Sequence, residues 1–173
     1  MIIALRLYTT VAYKFMNDPL RNANAMGKKI LLPATTWFAD QGIKKLRVLQ
    51  ANQDITQQLP VLWRGMRNIE IDPWFEQKGG TEYGFMSTTT ELEVAVRYSL
   101  SKNSLLFKLV PSGPHEMGAD LQWLSAFPSE KEILYPPLTH LEPKAEARET
   151  IKIEDNGIEL TFTVVTVQPR IGT

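Results

Sequence analysis

The chain contains no cysteine, which excludes disulfides, thiolate metal sites and cysteine nucleophiles. That fits a reducing compartment without requiring one. Histidine is almost as scarce, with only His115 and His140. His115-Glu116 has no second ligand at useful helical spacing, so no metal is expected. Charge of one sign is also lacking, because nineteen basic residues balance nineteen acidic ones. This speaks against a nucleic-acid partner held by phosphate neutralisation. No apolar run approaches the roughly 18–20 residues that span a bilayer. The opening Met1-Ile2-Ile3-Ala4-Leu5-Arg6 is too short for a signal h-region and offers no small-residue cleavage site. There is no G-x-G-x-x-G after a strand and no G-x-x-x-x-G-K-[ST], so Rossmann and P-loop nucleotide sites are not expected.

What is present is an ordinary globular composition, 43% hydrophobic and 22% charged over 173 residues. That length fits one domain with a sizeable core. The first third reads as helical. Asn17-Asp18-Pro19 has the form of a helix start. Ile43, Leu46 and Leu49 fall near helical spacing, with Lys44, Lys45 and Arg47 on other faces as solvated surface. After Pro60 the texture changes to short strands: 61–66, 84–87 and 104–110. A helix is expected over 90–101, with Leu92, Ala95, Val96 and Leu100 as its stripe and Thr90 with Glu93 as a capping box. An irregular segment, 111–129, leads to a strand over 131–135 that Pro136-Pro137 ends. Strands 151–154 and 158–167 flank the hairpin signal Asp155-Asn156-Gly157. Helices followed by strands favour α+β with mostly antiparallel or mixed sheets.

Three places could carry chemistry. In Glu130-Lys131-Glu132, extended geometry from 130 onward would put Glu130, Glu132 and Leu134 on one face. Two neighbouring carboxylates beside apolar Phe127, Ile133 and Leu134 imply a raised pKa or a cation between them, and a charged loop tip is the bland alternative. Arg64 interrupts an apolar strand and needs an anion, which is either a structural partner or a ligand phosphate gripped by its guanidinium fork. Gly65 beside it allows close backbone approach. Ser87-Thr88-Thr89 stands at a strand-to-helix junction. A cap at Thr90 would leave Ser87 free to bond another group, such as a carboxylate.

Together Leu62-Trp63-Arg64-Gly65-Met66, Gly84-Phe85-Met86-Ser87-Thr88-Thr89 and Phe127-Pro128-Ser129-Glu130-Lys131-Glu132-Ile133-Leu134-Tyr135-Pro136-Pro137 resemble the arginine, S-T-S and E-x-E signatures of arginine-specific mono-ADP-ribosyltransferases. The likeness extends to Tyr8-Thr9 and Asn17 to Arg21, similar to the start of that family's helical lobe, and to Val167-Gln168-Pro169, similar to its final core strand. It implies an α+β catalytic domain over the whole chain, with a helical lobe over about 1–58 and a split core of two small packed, mostly antiparallel or mixed sheets over about 59–173.

The resemblance implies NAD⁺ as co-substrate, no metal, and a protein acceptor bearing a target arginine. It assigns Arg64 to the phosphate and ribose side of NAD⁺ and the Gly65 backbone to the nicotinamide amide. Ser87, with Thr88 and Thr89, would line the dinucleotide, and Ser87 would orient Glu132. Glu132 would bind the nicotinamide ribose and stabilise the charge that develops as the glycosidic bond breaks. Glu130 would receive the guanidinium and its proton. Phe127 stands where the family carries an aromatic for target recognition, and Tyr98 is a candidate nicotinamide contact or else a core aromatic. Two departures are Ser-Thr-Thr for Ser-Thr-Ser, and Trp63 where a tyrosine often stands. The poly-ADP-ribosylating and diphthamide-modifying branches use a histidine in the first motif, whereas both histidines here lie far past Arg64. NAD⁺ glycohydrolysis, or binding of NAD⁺ or a protein without turnover, are the competing readings. The expected state is a soluble monomer, cytoplasmic or delivered into a host cytosol as toxins and effectors are, with no membrane or nucleic-acid partner.

Overall fold

A computed structural model describes residues 1–22, 31–52, 58–155 and 158–172. Helices come first: α1 (Ile2–Leu7), a wider turn over Tyr8–Ala12, α2 (Tyr13–Arg21) and α3 (Pro33–Ala51). Pro33 sits in the first turn of α3, where its missing N–H leaves no bond unmade and its fixed φ suits the helix. Ala39, Gly42 and Ile43 form the buried stripe of α3, with Leu46 partly covered, and they pack on Leu5, Tyr8 and Met16. Leu49, expected on that stripe, is 63% exposed. Polar side chains anchor the end of the helix instead. Arg47 donates to the carbonyls of His115 (2.6 Å) and Met117 (2.8 Å), so it is not a free surface cation. Gln50 pairs with the backbone of Asp120.

Asn17-Asp18-Pro19 does not start a helix, because Pro19 lies inside α2. The Asn17 side chain is buried and serves tertiary partners rather than a cap. It accepts from the amide of Phe85 (2.9 Å) and donates to the carbonyl of Phe85 (3.2 Å) and to Tyr8 Oη (3.2 Å). Pro19 removes one bond close to where the helix ends at Asn22.

The remaining elements are β1 (Leu62–Arg67), α4 (Pro73–Lys78), β2 (Gly80–Glu82), β3 (Met86–Thr89), α5 (Leu92–Ser99), β4 (Ser104–Leu109), β5 (Ala119–Asp120), β6 (Glu132–Tyr135), β7 (Thr139–Asp155) and β8 (Ile158–Arg170). The strands run in the order β2-β7-β8-β4-β1-β3-β6-β5, with β4 and β8 parallel and the other pairs antiparallel. The α+β class with mostly antiparallel pairing is as expected. The expected split survives as a seam: β1 and β3 share the single registered pair Trp63↔Thr89. On either side of the seam pairing is extensive, from Leu62↔Leu109 to Arg67↔Ser104 and from Met86↔Tyr135 to Thr89↔Glu132. The two halves of this eight-stranded sheet share one core cluster, in which Met86, Ile133 and Tyr135 join Leu105, Leu109 and Val165.

Several sequence expectations need adjustment. β7 begins at Thr139, well before 151, and β2, α4 and β5 were not anticipated. Asn156 and Gly157, the expected hairpin turn, lie outside the described residues, and Asp155↔Ile158 flanks them. Helix α5 is shorter than expected, and Leu100 falls beyond it. The capping box does not form. Thr90 Oγ1 bonds Glu91 Oε1 (3.3 Å), and Glu91 occupies the N-cap without a side-chain cap bond. Its carboxylate is drawn instead to Lys131 Nζ at 2.6 Å.

Helix α5 rests directly on β1. A Cβ at Gly65 would lie 1.9 Å from the carbonyl oxygen of Ala95, so only glycine permits this approach. Gly65→Ala must push α5 off the strand, at about 1–3 kcal/mol for overpacking. A urea midpoint equal to wild type would show that the helix yields freely. Asn17→Ala leaves the Phe85 amide buried without its acceptor, while the Phe85 carbonyl keeps Arg21 Nη2 (3.0 Å), and is expected to cost about 1–3 kcal/mol in the same measurement.

Candidate active site

Past Trp63↔Thr89 the strands part, and a cleft of about 420 Å³ opens between the seam and the N-terminal helices. All the positions singled out from sequence line it: Arg64, Gly65, Ser87, Thr88, Thr89, Tyr98, Phe127, Glu130 and Glu132. Segments more than sixty residues apart in the chain therefore converge on one pocket.

Arg64 spans the gap that the missing strand pairs leave. Its Nη1 donates to the carbonyl of Ser87 (2.9 Å) and its Nη2 faces Glu82 Oε2 (3.3 Å). Burial lowers its pKa, the Glu82 charge opposes that fall, and Arg21 adds to it. Glu82 is the structural partner that a lone strand arginine demands. The same carboxylate also takes Arg21, through Nε to Oε1 (2.9 Å) and Nη2 to Oε2 (3.1 Å), and accepts from the Gly84 amide (2.8 Å). Two guanidiniums thus share one acid, and both line the cleft, leaving a local excess of positive charge.

Glu132 is the first residue of β6 and only 8% exposed. Thr89 lies directly opposite it in the ladder and Ser87 pairs with Leu134, so Ser87 is its diagonal neighbour on the same face. The Ser87 side chain lies near enough to the Glu132 carboxyl to favour its charged form. Burial raises the Glu132 pKa, the neighbouring Ser87 side chain opposes this, and the charge of Glu130 adds to the rise. The phenol of Tyr8 is buried beside it and raised in turn, first by burial and then by the Glu132 charge.

Glu130 does not share the strand. Pro128–Glu130 is one tight helical turn, and Lys131 follows in the left-handed region at φ 44°, ψ 53°. The turn still delivers Glu130 to the cleft. Its carbonyl accepts from Thr89 Oγ1 (2.7 Å), and its Oε1 accepts from Tyr98 Oη (2.7 Å). Partial burial and then the bond to Glu130 push the Tyr98 pKa up to about 12. Tyr98 is 51% exposed on α5, so it is not a core aromatic. Phe127 is also exposed, at the lip of the same turn.

Thr88 and Thr89 line the pocket with hydroxyls already engaged inside the protein. Thr88 donates to the carbonyl of Ile133 (2.7 Å), while Thr89 donates to Glu130 and accepts from the Glu91 amide (3.0 Å). Sequence reasoning missed Glu82, and it passed over Tyr8, Thr10, Tyr13 and Arg21 as lining residues. The one available signal was the spacing of Tyr13, Asn17 and Arg21, four apart and so on one helical face. Among the described residues no group of three or more acidic or histidine side chains is placed to hold a metal ion. No helix among them is long and apolar enough to cross a membrane.

A model of the ADP-ribosyltransferase exoenzyme family matches residues 3–159. No curated protein matches the chain. Solved structures do. Vis toxin, an ADP-ribosyltransferase from Vibrio splendidus, is 19% identical over 98% of this chain and 72% of its own, with a TM-score of 0.58. The ADP-ribosyltransferase HopU1 of Pseudomonas syringae is 18% identical over 96% of this chain and 75% of its own, with a TM-score of 0.64. Exoenzyme S from Pseudomonas aeruginosa, in complex with human 14-3-3 protein beta and bound to Carba-NAD, is 23% identical over 95% of this chain and 72% of its own, with a TM-score of 0.57. At such identities these structures speak for a shared fold, whereas the family model covers most of the sequence, and the chain therefore belongs to the ADP-ribosyltransferase exoenzyme family.

Proposed function

We propose that the protein moves ADP-ribose from NAD⁺ onto an arginine side chain of a protein acceptor and releases nicotinamide. The observation that carries this reading is the convergence of Arg64, Ser87, Glu130 and Glu132 on one cleft, with Glu132 buried and Glu130 more open beside it. The cleft volume of about 420 Å³ falls in the usual range for small-molecule sites. The paired guanidiniums of Arg64 and Arg21 suit a diphosphate, which takes such forks bidentately. Exoenzyme S, similar in fold, was solved bound to Carba-NAD.

In this reading Glu132 accepts a hydrogen bond from the nicotinamide ribose. It faces the positive charge that grows at the anomeric carbon as the bond to nicotinamide breaks. A largely buried carboxylate held on a strand beside Ser87 needs little reorganisation to do so. Glu130 orients the guanidinium and takes the proton released when the guanidine nitrogen bonds to that carbon. The Gly65 backbone lies at the nicotinamide side, and Phe127 meets the acceptor at the lip. The acceptor is a soluble protein in the reading we favour, met by a monomeric enzyme acting in the cytosol, as a toxin or effector does in a host.

Labelled NAD⁺ incubated with and without agmatine, a soluble guanidino acceptor, tests the proposal. Labelled agmatine is the expected product. Free ADP-ribose alone would mean hydrolysis, and intact NAD⁺ would mean binding without turnover. Glu132→Gln should lower both transfer and hydrolysis by about 100- to 1,000-fold, the scale of one lost electrostatic stabiliser. Glu130→Gln should lose arginine transfer by at least about 100-fold and keep measurable hydrolysis. Equal loss of both in Glu130→Gln would remove its assignment as the acceptor-side acid.

Burial of Glu132 also has a thermodynamic signature. Its folded-state pKa is raised, so the native state holds that proton more tightly than the unfolded chain does. The resulting destabilisation is absent below the ordinary carboxylate range and complete once pH passes the raised value. Glu132→Gln should therefore melt above wild type at neutral pH. The gap should close as the medium is acidified into the ordinary carboxylate range. A melting difference independent of pH would contradict this account.

A further inference from the structure

Helix α5 and the residues that lead into it hold the turn that carries Glu130 at three points. Thr89, just before the helix, donates to the Glu130 carbonyl (2.7 Å). Glu91, at its N-cap, pairs with Lys131 (2.6 Å). Tyr98, in its last turn, donates its hydroxyl to Glu130 Oε1 (2.7 Å). The first two contacts fix the backbone and its neighbour, and only the third touches the reacting carboxylate. Tyr98 and Glu130 both line the cleft, and neither is deeply buried.

We infer that Tyr98 is a positioning residue for the acceptor half-reaction: its hydroxyl occupies one oxygen of Glu130 and sets the plane and free oxygen that the carboxylate presents to an incoming guanidinium. This rests on the acceptor role of Glu130 proposed above. Guanidinium recognition depends on the planes of the two groups, because the paired N–H bonds must meet the carboxylate in register. A carboxylate on a surface turn without such an anchor would rotate, and the acceptor would bear the cost of ordering it. The phenol stays protonated well beyond neutral pH, so the donor persists across any working range. The contact is short but exposed, so a bound guanidinium can share or displace it at little cost. A ring contact to nicotinamide at the same residue would use the face of the tyrosine and leave the hydroxyl to Glu130.

Tyr98→Phe keeps the ring and removes only the hydroxyl, and its half-exposed site makes misfolding a small risk that a thermal melt checks. The readout is the ratio of agmatine transfer to NAD⁺ hydrolysis, with KM and kcat for agmatine measured separately. The expected result is a ratio about tenfold below wild type, arising mainly from a higher KM for agmatine. In a Glu130→Gln background the same change should alter the ratio by less than about twofold, because both substitutions remove one device. A ratio equal to wild type in Tyr98→Phe, or the same fold-loss in both backgrounds, overturns the inference and leaves the proposed activity standing. Transfer that survives in Glu130→Gln alone would overturn the acceptor role of Glu130 and this inference with it.

Discussion

One guanidinium stands where the sheet comes apart. β1 and β3 are joined by a single residue pair, and past it Arg64 reaches across to the Ser87 carbonyl and to Glu82. A buried cation is costly unless it is paired and fully bonded. Here the cost is met by partners on β2 and β3, so the same contacts that make the arginine tolerable also hold the opening at a fixed width. The shape of the cleft and the architecture of the sheet are thus one electrostatic arrangement. Ser87 serves it twice, with its carbonyl toward Arg64 and its hydroxyl toward Glu132.

The helical part closes the other wall of the pocket. Asn17 ties α2 to the backbone of Phe85, two residues before Ser87, while Arg21 from the same helix joins Glu82. A Cβ at Gly84 would crowd both Asn17 (2.9 Å) and Arg21 (3.0 Å), so a glycine between the acid and the strand lets this helix approach. Arg6 from α1 and Thr9 from the following turn bond the backbone of 124–126, just before Phe127. The helical wall is therefore fastened both to the segment that leads into Ser87 and to the segment that leads into the acidic pair.

Much of this was legible in the sequence, and the reasons differ by element. Strand and helix order followed from periodicity and from Pro and Gly punctuation, and the positions that meet in the cleft followed from a resemblance carried by three short segments. Local signals failed where tertiary partners outbid them. Asn17 resembles a cap but is claimed by Phe85, and Thr90 with Glu93 resembles a capping box although Glu91 is drawn to Lys131. Leu49 fits a helical stripe but lies beyond the face that α1 covers. Glu82 was invisible because nothing local marks an acid on a three-residue edge strand as the partner of two distant arginines. The seam between β1 and β3 has no local signature either, since it is an absence of pairing.

Lys131 holds a positive φ that side chains other than glycine adopt at some cost. With it the chain swings from the helical turn of Glu130 into the extended run of Glu132, so the spatial relation of the two acids is set by one backbone corner rather than by alternation along a strand. Chain length across this corner is consequently the stiff parameter of the loop. Adding or deleting a single residue there would rotate one acid away from the other, whereas exposed Pro128 and Ser129 leave room for side-chain variety. Divergence of such a loop can then proceed by exchanging side chains on a frame of constant length.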